Sequence, residues 1–132
     1  MRYIFDSSAV VNLVKKGKLS AFIEGCTLDL ALYESLNALW KEHFLLKKLS
    51  EDVFREYIDI ISELFRAIEV KSVMGLEDKV LENAVKYGIT VYDSSYLTYA
   101  MENGLMLVTD DEKLSSKARD KVNVISTSEI RS

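Results

Sequence analysis

At 132 residues with 48% apolar side chains, the chain is long enough for one domain around one buried core and too short for two. Its single cysteine, Cys26, excludes a disulfide framework and a thiolate metal site, and no apolar run approaches the ~20 residues that span a bilayer. The net charge of −4 speaks against a nucleic-acid partner only if location is ignored: setting aside Asp6, Glu34, Asp93, Asp110 and Asp111 turns it to +1, and cations held among such acids invert the local field. Nothing from Met1 to Asp6 resembles a cleavable signal, so the expected location is the reducing cytoplasm.

Arg2–Phe5 is β-prone and stops at Asp6. Ala9–Val14 reads as a short helix ended by Gly17 among Lys15, Lys16 and Lys18, and Leu19–Glu24 as one further turn closed by Gly25. Leu28 to about Lys48 reads as one long helix with Leu32, Leu36, Leu39, Trp40 and Phe44 on a single stripe, which places Trp40 and Phe44 in the core. Ser50 is the expected N-cap of a helix whose apolar face runs from Val53 to Ile68. A strand follows at Ile68–Lys71, then a helix at Leu76–Tyr87 stopped by Gly88. Ile89–Tyr92 is a brief extended entry to a helix over Asp93–Asn103, Leu105–Val108 a buried strand, Thr109–Arg119 a helix and Val122–Ile125 a last strand before a fraying tail. Strands alternating with helices predict an α/β domain with a central parallel sheet flanked by helices.

Asp6, Asp93 and the Asp110–Asp111 pair each follow an extended or apolar stretch and precede a helix, which predicts three acidic segments at the carboxyl edge of the sheet, where open α/β sheets bind ligands. Taken singly, each has a plainer role. Asp6 or Asp93 can cap a helix, and Thr109 with Glu112 has capping-box spacing, which would make Asp110 and Asp111 ordinary first-turn acids. Glu34 is harder to dismiss, because almost every other residue from Leu30 to Trp40 is apolar and a carboxylate on a buried helix needs a partner or a metal; Asn37 lies one turn on. Together, carboxylates without neutralising cations point to a hard divalent ion with oxygen ligands, Mg²⁺ or Mn²⁺, and so to hydrolysis of phosphodiesters.

Four stretches carry a resemblance. Tyr3-Ile4-Phe5-Asp6-Ser7-Ser8-Ala9, Glu34-Ser35-Leu36-Asn37-Ala38-Leu39, Tyr92-Asp93-Ser94-Ser95-Tyr96 and Thr109-Asp110-Asp111-Glu112-Lys113-Leu114 occur in this order across nearly the whole chain. In them the chain resembles the PIN-domain family, and within it the VapC-like toxin ribonucleases of prokaryotic toxin–antitoxin pairs. The resemblance implies a single PIN-like domain over 1–132 and an acidic quartet of Asp6, Glu34, Asp93 and Asp111, with Asp110 as a supporting or second-metal ligand. It implies that Ser7, Asn37 and Thr109 orient the carboxylates, that one or two Mg²⁺ or Mn²⁺ ions cut RNA, that a small antitoxin restrains the enzyme, and that the chain forms a homodimer.

Among other residues, Lys15, Lys16 and Lys18, with Lys113, Lys117, Arg119 and Lys121, are candidates for RNA phosphates. Tyr92, Tyr96 and Tyr99 suit core or dimer packing better than base stacking. His43, the sole histidine, lies more than two turns beyond Glu34 and is a poor candidate for an acid or base. Two other functions fit the same elements. One is a non-enzymatic module of this fold that binds RNA or protein, disfavoured by the intact acidic set. The other is a phospho-accepting signalling domain, disfavoured because Asp6 stands alone before Ser7-Ser8.

Overall fold

In the computed structural model, which describes residues 1–130, five parallel strands form one sheet in the order β3-β2-β1-β4-β5. The strands are β1 (Tyr3–Phe5), β2 (Gly25–Leu28), β3 (Glu69–Lys71), β4 (Met106–Val108) and β5 (Val124–Ile125). The helices are α1 (Ser7–Lys16), α2 (Leu30–Trp40), α3 (Glu51–Ala67), α4 (Glu77–Tyr87), α5 (Val91–Asn103) and α6 (Glu112–Ala118). This is the α/β architecture that the alternation of patterns predicts.

The chain leaves β1 through β2 to β3 on one side and returns to β4 on the other. The switch point therefore lies between β1 and β4, and the carboxyl ends of the strands there are where open α/β sheets bind ligands. Side-chain alternation along β1 feeds two cores. Tyr3 and Phe5 pack with Leu13, Ile61 and Leu64 from α1 and α3 on one face. Ile4 packs with Cys26, Leu97, Ala100 and Leu114 on the other, against α5 and α6.

Several boundaries differ from the sequence expectation. The sequence pattern gives no strand between the Leu19–Glu24 turn and the helix expected from Leu28, yet Gly25–Leu28 is one, fully buried and paired with both β1 and β3. A short apolar run of this kind satisfies either period, and only pairing decides it. The further turn expected at Leu19–Glu24 is a 3-10 helix closed by Gly25, whose N–H bonds the Phe22 carbonyl, and Gly25 also opens β2, where a Cβ would meet Phe5 Cε2 and the Tyr3 carbonyl at 2.6 Å. α2 ends at Trp40 and continues as a π-helix over Lys41–Leu45. Trp40 and Phe44 are 46% and 60% exposed rather than core, because α2 turns only Ala31, Ser35 and Leu39 fully inward.

α5 starts at Val91, not Asp93, since the Thr90 hydroxyl caps it by accepting from the Asp93 N–H. No capping box forms at Thr109: its hydroxyl is committed to Asp6, and Asp111 caps a shorter α6. α1 runs two residues further than predicted at each end, from the Asp6 cap to a left-handed Gly17 at φ 70°. β5 is shorter than expected, and the tail does not fray over its described part: Thr127–Glu129 forms a 3-10 turn with Thr127 and Ile130 buried.

Candidate active site

Parallel pairing sets Phe5 opposite Val108, so the next residues, Asp6 and Thr109, leave the sheet side by side. Asp6 is buried, 4% exposed, and its carboxylate is fully engaged. Oδ1 accepts from the Ala9 N–H at 2.9 Å and the Ser8 hydroxyl at 2.7 Å, and Oδ2 accepts from the Thr109 hydroxyl. Those two hydroxyls clamp the loop after β4. Ser8 Oγ accepts the Asp110 N–H at 2.9 Å, and Thr109 Oγ1 accepts the Asp111 N–H at 3.0 Å. Asp111 Oδ1 in turn accepts the Leu114 N–H at 3.0 Å as the cap of α6.

The remaining acids arrive on helices. Glu34, half-buried on α2, accepts the Tyr96 hydroxyl on Oε1 at 2.8 Å. Asp93 stands one turn before Tyr96, in the first turn of α5. It does not follow a strand, as the sequence reading expects, yet it reaches the same place because α5 packs against β1 and β4.

The acids feel one another. Burial, with Asp111 nearby, pushes the Asp6 carboxyl up to about 6 despite its hydrogen bonds. Burial, then the charge of Asp93, raises Glu34, which the Tyr96 and Ser7 hydroxyls partly relieve. Burial, then the charge of Asp111, raises Asp93, and the Lys113 ammonium opposes this. Burial and the charge of Glu34 push the Tyr96 phenol far up, so it stays a proton donor at any working pH. Asp6, Asp111, Asp93 and Glu34 thus form a linked row of carboxylates with one lysine beside it. Among the described residues, no three ligating side chains converge closely enough to hold one ion as they stand. A shallow cavity of about 250 Å³ beyond β4 and β5 is lined by Thr109, Asp110, Asp111, Ser115 and Ile125. A larger cleft, about 730 Å³, lies at the amino ends of the strands beside Arg2, Leu105 and Asn123 and touches none of these acids.

No family model matches the chain. Two relatives from Pyrobaculum aerophilum do. Ribonuclease VapC3 is 34% identical over 125 residues, covering 89% of this chain and 95% of the relative. The chain belongs to the VapC family. Exonuclease VapC9 is 37% identical over 97 residues, 74% of this chain and 69% of the relative. Among solved structures, PAE2754 from Pyrobaculum aerophilum superposes with a TM-score of 0.79 at 28% identity, over 97% of this chain and 85% of that one. The DNA-bound VapBC of Salmonella typhimurium superposes with a TM-score of 0.67 at 12% identity, over 96% and 98%, a likeness of fold alone.

In this VapC-family chain the other candidate residues separate. Asp110 turns away from the acidic row: Oδ1 accepts the Thr127 N–H at 2.8 Å, and Oδ2 accepts Asn12 Nδ2 and the Thr127 hydroxyl, both at 2.6 Å. Burial would raise its carboxyl, but Thr127, Asn12 and Lys16 outweigh that and hold it below the usual range. Of the Lys15, Lys16 and Lys18 cluster expected at RNA phosphates, Lys15 pairs with Glu42 and Lys16 donates to Thr127 Oγ1 at 2.7 Å, so these two amines have partners within the fold. Ser7 faces Glu34, whereas Asn37 is exposed and shows no tie to the acids. His43 stacks on Phe54 with centroids 4.0 Å apart and is bonded to Leu49 O and Glu51, away from the acids. Cys26 is buried in the second core, and burial pushes its thiol up to about 11.

The sequence reading gives no role at the acids to Ser8 or Tyr96, and Lys113, expected at RNA phosphates, lies beside Asp93. Two signals could have found them: Ser8 sits two residues after a candidate cap, where its hydroxyl reaches back to the carboxylate, and Tyr96 lies at i+3 from Asp93 on one helix face.

Proposed function

We propose that the chain is a metal-dependent endoribonuclease, acting as the toxin of a toxin–antitoxin pair, with Asp6, Glu34, Asp93 and Asp111 as ligands for one or two Mg²⁺ or Mn²⁺ ions. One observation supports the reading: Asp6, Glu34, Asp93 and Asp111, from four separated segments, lie near enough to raise one another in linked pairs, Asp6 with Asp111, Asp111 with Asp93 and Asp93 with Glu34, with Lys113 beside Asp93. The names of the relatives VapC3 and VapC9 support the nuclease class, and that of the Salmonella VapBC supports a small antitoxin partner.

The donor chemistry fits the ion. All four groups are hard oxygen donors, and an ionised row with so little counter-charge is relieved by a divalent cation. A cation bound there neutralises the phosphodiester, orients it and activates water. The chain's own residues do the rest. Thr109 and Ser8 hold Asp6 at the end of β1 and tie the Asp111 loop to it. Tyr96 holds Glu34, and the Lys113 ammonium draws the anionic backbone of RNA toward the row.

The test is cleavage of a mixed RNA pool by purified protein with Mg²⁺, with Mn²⁺ and with a chelator, beside folded Asp6→Asn and Asp93→Asn variants. A circular RNA separates internal cutting from the end-directed cutting that the name of VapC9 denotes. Metal-dependent cleavage lost in both variants supports the reading, and a wild type inert towards RNA, free of antitoxin, overturns it. A homodimer completes the proposal. Exposed Met74, Leu81, Val85 and Tyr92, on α4 and at its flanks, offer apolar area for it, and light scattering gives the mass. No described helix is long and apolar enough to cross a membrane.

A further inference from the structure

The segment that follows α2 is irregular in two ways. Its Lys41–Leu45 π-helix is closed by the Leu46 N–H on the Lys41 carbonyl at 2.9 Å, and Lys47 sits at φ 53°, a left-handed conformation that costs a β-carbon residue energy. π-turns recur at functional sites, and strained backbone persists where something selects for it. What this backbone presents is a pair of aromatic rings in solvent: Trp40 and Phe44 lie 5.5 Å apart with planes 15° from parallel, both half-exposed or more.

Within the segment from Trp40 to Ser50, the charges left without an ion pair are lysines. Glu42 is taken by Lys15, and Glu51 by His43 and Arg55. Lys41, Lys47 and Lys48 are exposed and take part in no ion pair among the described residues. Stacked rings flanked by free lysines match the needs of a single strand, whose bases stack and whose phosphates need cations. The platform also lies on the same helical run as Glu34. At ~1.5 Å per residue Trp40 is roughly 9 Å and Phe44 roughly 15 Å further along, a reach of roughly three to four nucleotides.

We propose that Trp40 and Phe44, with Lys41, Lys47 and Lys48, form a stacking platform for single-stranded RNA a few nucleotides away from the bond that is cut. The proposal rests on the ribonuclease reading of the acidic site. It assigns to RNA an exposed face that the sequence pattern assigns to the core.

Trp40 is the only tryptophan in the chain, so its fluorescence reports on this face alone. In the Asp6→Asn background, where RNA is not consumed, oligoadenylate and oligouridylate of about 12 nucleotides are titrated while the anisotropy of an end label follows binding independently. Quenching of Trp40 that saturates with the anisotropy is expected. Trp40→Ala and Phe44→Ala should each weaken binding roughly tenfold, Trp40→Phe should restore most of it, and Lys47→Ala with Lys48→Ala should lower the salt slope by about one to two. Binding without quenching, or alanine variants that bind like the parent, overturns the platform while the ribonuclease reading stands on metal-dependent cleavage. Absence of both binding and cleavage overturns the two together. Alanine variants in the wild-type background that cleave RNA like the parent also overturn the platform and leave the face, with its exposed Leu45 and Leu46, to a protein partner.

Discussion

The Tyr96 hydroxyl donates to Glu34 Oε1 at 2.8 Å across 62 residues of sequence. It joins the helix that carries Asp93 to the helix that carries Glu34, and its phenol is otherwise buried, 1% exposed. A buried donor aimed at a candidate ligand sets the ligand's direction, and losing such a partner costs metal affinity or activity about 10–100-fold. Tyr96→Phe should therefore keep its fold and lose that much Mn²⁺ affinity, read by electron paramagnetic resonance of free Mn²⁺. Wild-type affinity in a folded Tyr96→Phe protein would remove the tyrosine from the site.

Asp6→Asn and Asp93→Asn should each reduce cleavage on the order of a hundredfold or more, at least the loss expected for an outer partner. Circular dichroism should show an unchanged fold, since the amide oxygen at position 6 can still accept from the Ala9 N–H while its NH2 group donates to the Thr109 hydroxyl oxygen. Single-turnover cleavage rates measure the loss, and a variant within a few-fold of wild type would exclude that residue as a ligand.

Burial, above all else, pushes the Asp6 carboxyl up from its ordinary 3.8 to about 6. Its folded pKa is raised, so its stabilising contribution is complete below pH 3.8 and is lost as pH rises through about 6. A shift of this size corresponds to roughly 3 kcal/mol. The chelated protein should thus gain less stability than an ordinary domain between pH 5 and 7, and Asp6→Asn should flatten that part of the profile. Mg²⁺, which competes with the proton, should stabilise wild type more at pH 7 than at pH 5. Urea titrations at the two pH values, with and without Mg²⁺, decide it, and a Mg²⁺ effect independent of pH would count against Asp6 as a ligand.

Asp110 is a staple rather than a member of the acidic row. It fastens the Thr127 turn and Asn12 of α1 to the loop that carries Asp111. Asp110→Ala leaves those donors without partners, so unfolding free energy should fall by about 1–3 kcal/mol. Mn²⁺ affinity at low temperature should stay near wild type, and its abolition in a folded variant would restore Asp110 as a ligand.

Gly25→Ala should destabilise by about 1–3 kcal/mol through overpacking, because the added carbon would meet Phe5 and the Tyr3 carbonyl at 2.6 Å. Thermal unfolding that matches wild type would show that β1 and β2 can part more readily than their packing indicates.

By itself the sequence determined the alternation of strands and helices, most stops and caps, and the acids worth attention. These are local properties: Gly17, Gly88 and Gly104 end helices by adopting left-handed backbone, Ser50 caps α3, and hydrophobic period separates α3 and α4 from β4. Only the tertiary structure decided the rest. Gly25–Leu28 is a strand because β1 and β3 flank it with unpaired backbone groups, which no local pattern encodes. Trp40 and Phe44 lie outside because α2 presents only a narrow face to the core. Asp110 and Asp111 are adjacent and chemically alike, yet one staples the tail and the other caps α6 beside Asp6. Parallel pairing of β4 with β1 sets where the loop begins, and the Ser8 and Thr109 hydroxyls set which way each carboxylate turns.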